Sequence, residues 1–108
     1  MEFFKAEKKE DYASIIDNYV SGLRDMEFRT LNDSVSNLMS YAVINEVPLD
    51  LDNLDIALYN ISRTRDVKEK DSHLEIIAKE LYTLEENCCC RDVDSYKSLT
   101  HSFPFMRY

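Results

Sequence analysis

The sequence predicts an all-α fold, a four- to five-helix bundle closed by an irregular aromatic C-terminal tail, and three observations predict it. Apolar residues recur at helical spacing in four successive segments. One Gly and two Pro in 108 residues leave little material for the tight, positive-φ hairpin turns of sandwiches and barrels. An apolar fraction of 44% beside 31% charge suits a single packed domain, 1–108, and excludes collagen-like, low-complexity and wholly disordered chains. A chain of this length buries roughly two-thirds of the surface its unfolded form exposes, so a core forms without disulfide or metal.

The first stripe is Tyr12, Ile15, Ile16, Tyr19, Val20 and Leu23, which predicts a helix over about 8–25. Gly22 costs about 1 kcal/mol against Ala inside it and marks either an early end or a close crossing. Phe28, Leu31, Val35, Leu38, Met39 and Ala42 form the second stripe. Thr30 followed by Asp33 resembles a capping box and sets that helix at about 30–45, with Pro48 beyond it as a stop. Leu51, Leu54, Ala57, Leu58 and Ile61 make the third, for which Asp50 or Asp52 is the expected cap. The short connection places helices two and three antiparallel. Residues 62–71 turn polar with alternating charge and read as a linker. Ser72 with Glu75 then reads as an S-x-x-E capping box opening a fourth helix over about 72–88, backed by Leu74, Ile77, Ala78, Leu81 and Leu84. Val93, Tyr96 and Leu99 suit a short fifth helix begun by Asp92 or Asp94. Pro104 bars a regular helix in the tail, and Phe103, Phe105, Met106 and Tyr108 are too apolar to stand free in water, so the tail packs on the bundle or enters a partner.

Charge narrows the function classes. Twenty-one acids against 13 bases give a net charge of −8, which opposes direct nucleic-acid or anionic-membrane binding and favours a basic protein partner. The N-terminal residues lack the apolar core of a secretory signal, and no apolar run approaches the ~20 residues of a membrane span. The expected location is cytoplasmic.

Motifs of chemistry are missing. No phosphate-cradling loop, nucleophile elbow or zinc-protease helix occurs, and a single Gly forbids a Gly-rich loop. The reading is of a protein that is not an enzyme and carries no cofactor. Cys88, Cys89 and Cys90 are adjacent, so they bridge neither one another without strain nor any distant Cys. Consecutive helical positions diverge by about 100°, which suits ordinary thiols better than a zinc site with His73 or His101, so no metal is expected. Palmitoylation or redox chemistry is the alternative for that cluster. Asp50, Asp52 and Asp55 briefly resemble a calcium loop, but the sixth position lacks Gly and Ile61 stands at the twelfth, where Glu belongs.

The remaining signal is a surface for a partner. The stretch Glu46, Asp50, Asp52 and Asp55 holds no base, and a second acid-rich stretch comprises Glu80, Glu85, Glu86, Asp92 and Asp94. With Tyr96, Phe103, Phe105 and Tyr108, these acids except Glu80 make the candidate partner-binding set, the acids steering a basic protein and the aromatics slowing its escape. The expected function is an inhibitor of the immunity-protein or antitoxin type, which neutralises a basic, nuclease-like toxin by stoichiometric binding. An adaptor, regulatory or assembly subunit docking through the aromatic tail, a homodimer, and a nucleic-acid mimic are the alternatives.

Overall fold

A computed structural model describes residues 2–87, 93–103 and 105, with side chains described for 12–87, 97–103 and 105. It contains α1 (Glu2–Arg24), α2 (Phe28–Ile44), α3 (Leu51–Arg63), α4 (Val67–Glu86) and α5 (Val93–Ser102), and no strand among the described residues. The predicted helical bundle is therefore observed. Met1, Cys88 to Asp92, Pro104 and Met106 to Tyr108 lie outside the description.

Helix α4 is the centre, packed on α1 along one side and on α3 along another, while α2 joins α3 to α5. Its stripe of Leu74, Ile77, Ala78, Leu81 and Leu84 is fully buried, and each large side chain contributes roughly 1.5–3 kcal/mol by leaving water. Facing it are Tyr19 and Leu23 of α1 and Leu54, Ala57 and Leu58 of α3, with Leu31, Val35 and Leu38 of α2 in the same cluster. Tyr12 pairs edge-to-face with Tyr82 at 4.8 Å, and Arg24 bonds Asp71 at the opposite end of α1, so α1 and α4 run antiparallel. That ion pair is two-pronged, Nε to Oδ1 at 3.0 Å and Nη2 to Oδ2 at 2.8 Å. The hydrogen bond from Arg24 holds the Asp71 carboxyl below its ordinary range, against a smaller opposing effect of desolvation.

Several boundaries depart from the sequence reading. Helix α2 starts at Phe28 because the extended Glu27 accepts from Leu31 N at 2.9 Å, and no side chain caps it, so Thr30 and Asp33 are not a cap. Helix α4 starts at Val67, where Asp66 O accepts from Lys70 N at 2.9 Å. Ser72 is inside the helix, its hydroxyl turned back on Lys68 O at 3.3 Å, a bond that competes with capping. The supposed linker is thus mostly helix, and only Thr64, Arg65 and Asp66 separate α3 from α4. Lacking an apolar stripe, its first turn extends with Val67, Lys68 and Glu69 in water. Helix α1 begins at Glu2, ahead of its stripe. Tyr12 and Phe28, expected on buried stripes, are 40% and 41% exposed at the edges of the core.

Two terminators are worth their detail. Helix α2 ends in a Schellman turn, Val47 N to Ala42 O at 2.9 Å and Glu46 N to Val43 O at 3.4 Å, which puts Glu46 at φ 56°. After α5, Phe103 sinks into the core with no exposed surface, and Phe105 lies 5.4 Å from the Tyr19 ring and 6.0 Å from Phe103. The Phe105 ring covers Gly22, where a Cβ would collide with its Cδ2. Gly22 therefore marks a close crossing, and what crosses is the tail. Ser34, buried on α2, donates to Ser102 O at 3.4 Å and ties down the start of that tail.

Candidate protein-binding face

The acids are gathered by a hairpin. With so short a link between them, α3 and α4 run antiparallel, and Asp50 N donates to Glu80 Oε1 at 2.9 Å, so the start of α3 lies level with Glu80. Asp50 also caps α3, its Oδ1 accepting from Asn53 N at 3.1 Å, as the helix-start chemistry of Asp predicts. The first acid-rich stretch and Glu80 of the second, separate in sequence, therefore meet at one end of the hairpin. Glu46, Asp50, Asp52, Asp55 and Glu86 are exposed there, and Glu80 is half-buried. Of the two bases in the second stretch, Lys79 is engaged by Glu75 at 3.3 Å and Arg91 lies outside the described residues. Arg63, Arg65, Lys68 and Lys70 collect at the other end, around the α3–α4 link. The hairpin is electrically polarised, acid at its open end and mixed with base at its turn.

Not every predicted residue belongs to this surface. Glu85 is half-buried and accepts the hydroxyl of Tyr19, a side chain 1% exposed in the core, so its carboxylate serves the α1–α4 packing. Phe103 is core and leaves the partner-binding set. Phe105 is half-buried against Tyr19 and Gly22, which commits one of its faces to the fold. Asp92 and Tyr108 lie outside the described residues, and Asp94 and Tyr96 are placed in α5 by their backbone alone.

The sequence reading missed the apolar part of the face. Ile56 is 55% and Tyr59 61% exposed, side by side on the outer surface of α3. With Asp52 and Arg63 they recur at i, i+4, i+7 and i+11, directly opposite Leu54, Leu58 and Ile61. The Arg63 guanidinium lies 5.5 Å from the Tyr59 ring centre. The signal was available in the helical period, because a stripe that buries one side of α3 assigns those four residues to the other. A shallow concavity of about 610 Å³ lined by Pro48, Leu49, Asp50, Leu51 and Asp52 adjoins this face, and a separate one of about 360 Å³ lies between α2 and α5, lined by Tyr41, Ile44 and Leu99 among others. Ile44, in the lining of the second, is 77% exposed, and Val43 before it in the chain is 61% exposed.

Among the described residues no group of His, Cys, Asp and Glu is arranged to hold a metal ion, and no helix is long and apolar enough to cross a membrane. His73 is half-buried near the start of α4 and His101 exposed at the end of α5. No family model, no curated protein and no solved structure matches this chain.

Proposed function

We propose that this protein is a binding module that neutralises a basic protein, nuclease-like in charge, by covering its working surface in a stoichiometric complex. The observation that supports this reading is the Asp50–Glu80 bond, which sets the acids at the start of α3 beside Glu80 of the second acid-rich stretch at the open end of the α3–α4 hairpin. Carboxylates gathered on a rigid hairpin steer a basic partner and raise its association rate. The concavity at Pro48–Asp52 offers a seat for a lysine or arginine stem with its charge against Asp50 and Asp52. Helix caps explain Asp50 equally well as a structural residue, so the test must separate its charge from its cap. Asp50→Asn keeps the accepting oxygen and removes the charge.

The experiment is capture of the tagged protein's partner from its native lysate at low and moderate salt, followed by association kinetics. A single stoichiometric basic protein whose activity falls on mixing is the expected result. Asp50→Asn combined with charge reversal at Glu46, Asp55 and Glu86 is expected to slow association at least tenfold and flatten its salt dependence. Unchanged kinetics in that variant would remove the acidic surface from the account. Glu85 stays untouched because its reversal would break the core.

A second reading, an adaptor or assembly subunit, has its own observation in the exposed Ile44, in the lining of the α2–α5 concavity, and the exposed Val43 before it in the chain. It predicts capture within a larger complex that survives the charge reversals and is lost with Ile44→Asp.

A further inference from the structure

The outer face of α3 is complementary to itself. Asp52, Ile56, Tyr59 and Arg63 are separated by alternate steps of four, three and four, the seam spacing of two packed helices. A two-fold axis level with the midpoint between Ala57 and Leu58, normal to the helix, sets Ile56 of one copy opposite Tyr59 of the other and Asp52 opposite Arg63. In an antiparallel pair each copy's Ile56 then meets the other's Tyr59 at the centre, and an acid meets a base at both ends. The flanks agree, with Asn53 facing Asn60 along one side and Asp55 facing Ser62 along the other, so no like charges oppose. Within one chain Asp52 and Arg63 are separated by about three helical turns, too far to pair, so their opposite charges are available across the axis. Arg63 is already held against Tyr59, at the seam.

We propose that a second copy of this chain is the occupant of this face, forming an isologous antiparallel dimer through α3. The alternative occupant, a basic partner, accounts for Asp52 but places Arg63 against like charge. The proposal shares Asp52 and Asp55 with the inhibitor reading, whose Glu46, Asp50 and Glu86 lie outside α3, and it is tested apart from that reading because its readout is self-association of the purified chain. The outer face of one helix a side gives a small interface, since Leu54, Ala57, Leu58 and Ile61 of α3 are committed to the core, so the dissociation constant is expected on the order of 10–100 μM.

The test is sedimentation equilibrium of the full chain up to about 1 mM, across the range such an interface allows. The mass should rise from 12.7 kDa toward twice that value. Symmetry counts each charge reversal twice, so Asp52→Arg and Arg63→Asp alone each weaken association about tenfold or more. Mixed in equal amounts, the two variants form a heterodimer with both pairs restored, and association returns. Recovery on mixing cannot come from misfolding, and far-UV circular dichroism checks each variant's helix. A wild-type mass constant at the monomer value, or a dimer indifferent to both reversals, or variants with intact helix that do not associate on mixing, would each overturn the proposal.

Discussion

At the residue scale the most informative side chains are those whose local chemistry disagrees with their position. Glu46 occupies the left-handed C′ site of α2, where Gly or Asn is the usual occupant, because the Schellman bonds from Glu46 and Val47 require that backbone. An L-residue there costs about 1–2 kcal/mol, and Gly loses part of that gain to its greater freedom when unfolded. Glu46→Gly is therefore expected to stabilise the fold by about 0.5–1 kcal/mol, read as a higher urea midpoint at constant slope. Glu85 disagrees in the other sense, an acid in an acid-rich run that is bound inward by Tyr19. Helical period separates it from exposed Glu86, because Glu85 stands four residues after Leu81 and seven after Ala78 on the buried stripe, whereas Glu86 is off it.

At the element scale, α3 follows its sequence closely while α4 does not. Asp50 capped α3 as its residue type predicts, and the stripe of Leu54, Ala57, Leu58 and Ile61 is buried. Helix α4 overran its expected start because 66–71 carries charge without an apolar face, a pattern shared by a linker and by a helix projecting past its neighbours. Gly22 of α1 is understood only with the tail. Ala gains about 1 kcal/mol over Gly in a helix interior, yet its Cβ would stand 2.6 Å from Phe105 Cγ. Gly22→Ala should thus cost about 1–3 kcal/mol in the native protein and become stabilising in a Phe105→Ala background. That reversal of sign in a denaturation cycle measures the crossing directly, and the same sign in both backgrounds would contradict it.

At the scale of the whole molecule the decisive event is the return of the chain after α5 across α1. Phe103 has no exposed surface, so Phe103→Ala is expected to cost about 3–5 kcal/mol, a large share of the 5–15 kcal/mol that holds a domain of this size. A tail that served only a partner would leave the thermal midpoint unchanged. The sequence by itself determined the all-α class, the apolar stripes of the helices, the capping of α3 and the acidity of two stretches, because helical period, cap chemistry and charge are local properties of neighbouring residues. Only the tertiary structure decided that Asp50 bonds Glu80, that Phe103 turns inward and that Gly22 receives Phe105. Those outcomes depend on which faces become neighbours when α4 takes the centre, and contacts between residues distant in the chain leave no periodic trace in its sequence.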